Sequence, residues 1–592
     1  MKFPYGICDF KRIIMQGYFY CDRTHLIPVL ERGEYQLFLR PRRFGKSLLL
    51  SMLRNYYDIA GKDEFQTLFG NLNIGKNPTL LCNNYFILEW DFSCVDPSGT
   101  SEDIKRALHN HVNSRIDDFI SCYENLLERK IKTNPYDAIS SIQSLITAVR
   151  KTSYPVYLLI DEYDNFANEV MMGVRRDRQE MYEALVYEEG PLKTLFKAVK
   201  SSTKESVFDR IFITGVSPVV MSDITSGYNI GENIYFEPDL NELCGFTEPE
   251  IEKSVRHIVT GCDLNDQDAD NATELMRTYY NGYLFSLDAD TPVYNPTMAI
   301  YFMKAFQQSC KYPRNMLDAN LAADEAKLRY ISQIPGGSHL LLNMMKQDYH
   351  LIIPDLENRF GIQKMLSDQS KNNTFMASFL YYFGVLTTEG ETDTGEISLK
   401  VPNLAIRGLY TERIREMLIP EPADRDEGIK AAGRLYSKGE MKPLCDFVEQ
   451  KYFSVFRNRD YRWANELTVK TAFLTLLYND ILYIMDSEQE TGRRYTDLTM
   501  IIRPDMRRFK IFDILIEFKY VRLKQAGLTG DKARKLTREE LESIPVMRSE
   551  MEQAENQVRD YGDALKQKYG NLRLRSYAVV SLGFERILWE EI

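Results

Sequence analysis

A short apolar run, Tyr35-Gln36-Leu37-Phe38-Leu39, leads directly into Arg40-Pro41-Arg42-Arg43-Phe44-Gly45-Lys46-Ser47, and then into SLLLSMLRNYY, which has the spacing of an apolar helix. A strand, a tight glycine-containing turn and a helix, in that order, leave few architectures open. This is the context of a phosphate-binding loop, G-x-x-x-x-G-K-[ST], at the end of a parallel strand in an α/β sheet. Backbone N–H groups at a helix start face such a loop, and the helix dipole attracts an anion. On this reading the segment Arg43, Phe44, Gly45, Lys46, Ser47 and Leu48 cradles phosphate. Lys46 reaches the β and γ phosphates and Ser47 ligates Mg²⁺. There is one plain departure: Arg40 stands where the pattern has its first glycine.

Further short apolar runs follow at 85–90, 157–160, 210–213 and 234–236, with helix-like stretches between them. Crossovers of that length imply a parallel sheet covered on both faces. Tyr157-Leu158-Leu159-Ile160-Asp161-Glu162 ends in two carboxylates, where open α/β sheets bind ligands. Asp161 is expected to hold Mg²⁺ through water and Glu162 to polarise an attacking water. A simple Asp-Glu helix cap is the structural alternative. The run Arg210–Ser217 ends in Thr214 and Ser217, either of which fits a position sensing the γ-phosphate. Arg175, Arg176, Arg178 and Arg210 are candidate arginine fingers, with a solvated surface arginine as the plainer reading of each.

A chain of 592 residues with 44% apolar content accommodates two to four domains with sizeable cores. Residues 1–246 read as the α/β core and 247–310 as helical. Thr247-Glu248-Pro249-Glu250 is a capping box, and Asn295-Pro296 opens another helix. The stretch 311–450 is mostly helical; a helix near 375–383, two strands and a polar turn suggest a winged-helix-like insert. A second α/β unit occupies 451–592. No run of 18 apolar residues exists, so no transmembrane helix is expected. The N-terminus lacks the apolar core of a signal peptide. Nine scattered cysteines without a Cys-x-x-Cys pair read as reduced thiols in a cytoplasmic chain. His109 and His111 lie two apart, which on a helix points them in different directions and disfavours a zinc site.

The segments YFYCDRTHLIPVLERGEYQLFLRPRRFGKSLLLSMLRNYY, LLIDEYD, FITGVSP, LCGFTEPEI, YYNGYLF and VYNP together resemble the AAA-ATPase-like family. That family's phosphate loop tends to read RPRRFGKS, so Arg40 follows the family pattern. The resemblance covers nearly the whole chain and is weakest over 311–450. It implies an additional-strand, AAA-like P-loop core, a helical lid, ATP with Mg²⁺, and a C-terminal PD-(D/E)XK nuclease domain with a restriction-endonuclease-like α/β fold.

The C-terminal chemistry is also readable from the residues. Along 510–520 side chains alternate, so Phe512, Ile514, Ile516 and Phe518 share one face, and Asp513, Leu515, Glu517 and Lys519 the other. If Ile502 pairs with Lys510, Asp497 falls opposite Leu515, on the Glu517 face and roughly 7 Å along it. Asp497 and Glu517 would ligate Mg²⁺, Lys519 would position or help deprotonate the attacking water, and Glu466 on the preceding helix would be an extra ligand. This Asp, spacer, Glu-x-Lys arrangement resembles the PD-(D/E)XK core, except that Gly492-Arg493 is not immediately before the aspartate. Gln557 and Tyr561, four apart, share a helix face that is either directed at the site or simply polar.

The net charge of −11 argues against a generally polybasic nucleic-acid binder. Locally, Arg493–Arg538 carries 13 Lys+Arg against 5 Asp+Glu, or +8, which fits a groove for a phosphodiester backbone or else a solvated basic surface. The leading expectation is an ATP-binding and hydrolysing protein coupled to a metal-dependent nuclease, acting on DNA or, second, RNA. The alternatives are a nucleotide-driven switch that binds nucleic acid without cutting, and an assembly ATPase whose last domain contacts protein. Homo-oligomers and monomers both occur among related ATPases, and no membrane partner is expected.

Overall fold

Continuous apolar strands and amphipathic crossovers produce the first sheet of this computed structural model, which describes all residues except 97, 166–189, 205, 225–228, 318–321, 346–349, 359–370, 459–465 and 487–496. Its strands are β1 (Tyr35–Leu39), β2 (Phe86–Asp91), β3 (Val156–Asp161), β4 (Phe208–Gly215) and β5 (Glu232–Asn233). They are all parallel, in the order β2-β3-β4-β1-β5. β4 therefore separates the strand that feeds the phosphate loop from the strand that ends in carboxylates, which is the additional-strand arrangement. Leu158, Leu159 and Ile160 are fully buried, as a strand covered on both faces requires. The helix Ser101–Tyr123 packs on β2, Pro191–Thr203 packs on β4, and Lys46–Tyr57 packs on β2 and β3. The fifth strand is shorter and earlier than the apolar run 234–236 suggested. The Ile234 N–H still reaches Leu37 O, but the next carbonyl, on Tyr235, is taken by Arg40.

Three helices, Glu248–Gly261, Asp266–Tyr280 and Pro296–Ser309, pack on one another after the sheet. The Thr247 N–H donates to Glu250 at 2.9 Å, completing the expected capping box, and Asn295 caps the last helix. The expectation of reduced thiols fails at two positions. Cys262 and Cys310 are the C-caps of the first and third of these helices, which end side by side with the two Cα atoms 5.6 Å apart, and they form a disulfide. The other seven cysteines are free.

The chain divides into two compact units, one of residues 1–310, 333–335 and 351–403, the other of 311–332, 336–350 and 404–592. In the first unit, β6 (Leu351–Ile353), β7 (Thr387–Glu391) and β8 (Ile397–Lys400) form an antiparallel sheet in the order β6-β8-β7, beside the helix Asn373–Tyr382. The second unit holds β9 (Tyr483–Asp486), β10 (Leu498–Ile502), β11 (Asp513–Val521), β12 (Leu574–Leu582) and β13 (Arg586–Glu591), in the order β13-β12-β11-β10-β9. Only β11 and β12 are parallel. The helix Pro545–Tyr569 makes their crossover, burying Met547, Ala554 and Leu565 against Leu515 and Val580. No helix among the described residues is long and apolar enough to cross a membrane.

Candidate functional site

The first site forms where the loop after β1 meets the ends of β3 and β4. Gly45 has φ +94°, a left-handed conformation that lets the turn close onto the helix Lys46–Tyr57. Lys46 is buried, and its Nζ donates to the carbonyls of Arg40 at 3.0 Å and Pro41 at 3.2 Å while lying 3.8 Å from Glu162 Oε1. Ser47 Oγ donates to Asp161 Oδ2 at 2.6 Å, and Thr214 Oγ1 donates to Asp161 Oδ1 at 2.5 Å. The structure thus gathers Lys46, Ser47, Asp161, Glu162 and Thr214 at one place. Glu162 sits at φ +50°, and burial lifts its carboxyl above the usual range against the pull of Lys46. A hydroxyl and a carboxylate in direct contact are the oxygen donors Mg²⁺ takes beside a nucleotide.

Two sequence-based candidates are placed elsewhere. Ser217 donates its hydroxyl and its N–H to the fully buried Asp164, at 2.9 and 2.7 Å, so of the two hydroxyls only Thr214 bonds Asp161. Arg210 starts the inner part of β4 at the opposite end from Thr214, buried and donating to Gly33 O and Glu31 O, so it does not act as an arginine finger. Arg175, Arg176 and Arg178 lie outside the described residues.

Arg40 turns away from phosphate. Its guanidinium is 1% exposed, donates to the carbonyls of Leu39, Tyr235 and Leu240, each at 2.9 Å, and lies over the rings of Phe38 and Phe285. Burial pushes it down to about 10. Phe44, also from the loop, is buried edge-on against Tyr283 and Phe285 of the YNGYLF segment. Beside the loop lies a cavity of about 330 Å³, lined by Arg43–Ser47 and Glu162 and by the apolar side chains of Tyr5, Ile7, Phe246 and Ile300. One buried guanidinium nitrogen of Arg43 has no hydrogen-bond partner there. The N-terminal contribution to this cavity was not legible, because residues 4–8 have neither periodicity nor a motif.

The second site lies where β10 and β11 run side by side. Strand β11 begins at Asp513 rather than Lys510, and its pairing is Leu498↔Ile516, Thr499↔Leu515 and Met500↔Ile514. Continued by one residue, this register sets Asp497 opposite Glu517 instead of opposite Leu515. The expected register was two residues off because the segment before β11 is a fixed turn. Asp513, fully buried, binds Arg507 at 2.6 and 2.9 Å and takes the N–H of Ile502 at 2.8 Å and of Arg573 at 2.9 Å.

Asp497 and Glu517 are consequently in contact. The Asp497 N–H lies 3.4 Å from Glu517 Oε2, and Asp497 Oδ2 accepts the N–H of Phe518 at 2.7 Å. Lys519 Nζ donates to Glu517 Oε1 at 3.1 Å. Burial, and then the charge of Asp497, push Glu517 up to about 7, with Lys519 opposing. Two adjoining carboxylates, Glu517 buried and Asp497 partly so, fit a divalent cation, the partner that offsets both charges at once. Glu466 is raised by burial and feels Asp497 and Lys519, yet no group of three His, Cys, Asp or Glu side chains among the described residues is placed to hold a metal ion. A residue that sequence reasoning missed, Lys470, lies 3.3 Å from Asp497 Oδ1. Gln557 and Tyr561 lie on the helix Pro545–Tyr569, with Tyr561 in its buried face and one side-chain oxygen of Gln557 buried without a partner. His109 and His111 hold neighbouring backbone, from Ala138 and Asp91 respectively.

The first unit is thus a P-loop core of the AAA type, and the second carries the sheet and paired carboxylates of a PD-(D/E)XK fold. Residues 4–225 match the AAA-ATPase-like family, described as "Predicted AAA-ATPase", and residues 464–591 match a family of the PD-(D/E)XK nuclease superfamily. The chain therefore joins an AAA-ATPase-like domain to a PD-(D/E)XK superfamily domain. An uncharacterized protein from the vnfD 5′ region of Azotobacter chroococcum mcd 1 is 23% identical over 545 residues, covering 89% of this chain and 90% of that one. Among solved structures, a Walker-type ATPase of Pyrococcus abyssi matches 69% of this chain and 98% of its own at 13% identity, with a TM-score of 0.36. The ORC1 protein of Aeropyrum pernix, solved in complex with DNA, matches 68% of this chain and 96% of its own at 10% identity, with a TM-score of 0.24.

Proposed function

We propose that this chain is an ATP-binding and hydrolysing protein whose nucleotide state governs a metal-dependent nuclease acting on DNA, with RNA as the second substrate class. The observation that carries the nuclease reading is the meeting of Asp497, just before β10, with Glu517 and Lys519 on β11. In this reading residues 1–246 are the ATPase core, 247–310 its lid, 311–450 a middle region and 451–592 the nuclease domain.

Lys46 and Arg43 bind the phosphates, Ser47 and Asp161 hold Mg²⁺, and Glu162 orients water toward the γ-phosphate, with Thr214 fixing Asp161. Lys46 lies 3.8 Å from Glu162, so phosphate arriving at Lys46 competes with the glutamate for its charge. In the second site Asp497 and Glu517 hold the metal and Lys519 positions water at the phosphodiester. A divalent cation bound there supplies charge stabilisation at phosphorus. The direct test is cleavage of plasmid and single-stranded DNA and of RNA with Mg²⁺ or Mn²⁺, with and without ATP, beside Asp497→Ala and Lys46→Ala. Cleavage abolished by Asp497→Ala and altered by ATP in the wild type alone supports the reading.

A second reading, binding without cutting, draws on the lysine that sits on each carboxylate of the site. It predicts ATP hydrolysis and salt-sensitive nucleic-acid binding, with no cleavage under any condition.

A further inference from the structure

The paired carboxylates of the second site leave two oxygens facing the site, and a lysine occupies each. Asp497 Oδ2 accepts the Phe518 N–H at 2.7 Å, so Oδ1 is the oxygen more open to a metal. Lys470 Nζ is 3.3 Å from that Oδ1, with its side chain only 5% exposed. Glu517 Oε1 carries Lys519 at 3.1 Å. Lys519 has a place in the nuclease reading. Lys470 has none: it comes from the helix Glu466–Leu477, one turn after Glu466, and its charge enters a space that two carboxylates would otherwise leave strongly negative.

We propose that Lys470 is a built-in counter-ion that holds Asp497 in its ligating position while the site is empty of metal, and that a divalent cation must displace it to bind. This rests on the metal-site reading given above. Each of the two ligating carboxylates is thus already paired with an ammonium group, with Glu466 a third carboxylate beside them. A cation of charge +2 therefore gains little until one ammonium withdraws, and Lys519 is needed beside the metal. Lys470 thus sets the metal affinity and acts as a positioning residue.

Mn²⁺ is the probe, added without nucleotide to the full-length protein and followed by electron paramagnetic resonance of the free ion. Wild type, Lys470→Met, Lys470→Gln and Asp497→Asn are compared, with circular dichroism as the check on folding. Binding lost in Asp497→Asn defines the second site. The expected result is about tenfold or tighter Mn²⁺ binding at that site in both neutral variants, together with a lower metal-free melting temperature that Mn²⁺ restores. Lys470→Gln keeps the test open if Lys470→Met does not fold. Affinity unchanged or weakened in a folded neutral variant overturns the role of Lys470 and leaves the metal site standing. No Asp497-dependent binding in any protein overturns the metal-site reading, and this inference with it.

Discussion

Glu517 shows what burial does to a single carboxyl. It is 3% exposed and held up to about 7, against an ordinary value of 4.5. A carboxyl raised on folding binds its proton more tightly in the folded chain, so its contribution to stability is full below pH 4.5 and is lost as pH rises through about 7. Without metal, wild type should melt progressively lower than Glu517→Gln as pH climbs through that window, and excess Mn²⁺ should narrow the gap. Parallel melting curves across the window would sink the assignment. The side-chain alternation of a strand was enough to set Glu517 and Lys519 on one face. It did not set the distance to Asp497, because the turn is fixed by the buried Asp513, which binds both the nearby Arg507 and the N–H of the distant Arg573, a tertiary contact with no local pattern. Lys470 was hidden for the same reason: nothing about a lysine one turn after a glutamate says which carboxylate across the chain it will meet.

At the level of elements, the strand, turn and helix around Gly45 were legible from apolar runs and one motif, and the turn forms as the spacing requires. The direction of Arg40 was not. The sequence showed only that an arginine stands in the first glycine's place, and here it ties the end of β1 to the segment after β5. Restoring the missing glycine should therefore fail as a repair. Arg40→Gly leaves three buried carbonyls without their donor and should cost roughly 2–4 kcal/mol of stability. Calorimetry and fluorescent-nucleotide titration check this; a gain in nucleotide affinity with no loss of stability would contradict it. Phe44 makes the same point on an apolar scale, since it is a loop residue by sequence and a core residue by contact.

Across the whole molecule, the acidic balance conceals a basic stretch whose charges are not all available. Arg503 is fully buried and donates to the carbonyls of Pro313, Arg314 and Asp480, Arg507 serves Asp513, and Arg534 and Arg538 are paired with acidic neighbours. Arg508, Lys510, Arg522, Lys524, Lys532 and Lys535 are exposed. Composition could count these charges but could not sort them. Replacing Lys510, Lys524, Lys532 or Lys535 by alanine should weaken nucleic-acid binding at every sequence and lower the salt slope by about 1 for each one that contacts phosphate. Electrophoretic mobility shifts over a salt series measure this, and four unchanged slopes would move the binding surface elsewhere. The strand order has a consequence of another kind, in time. β1 is synthesised well before its partners, since Tyr35 pairs with Ile211 and Gln36 with Glu232. At about 5–20 residues per second, its neighbours follow roughly 10–35 s later. The apolar strand that carries the phosphate loop thus waits, for that interval of synthesis, for the neighbours that cover its backbone.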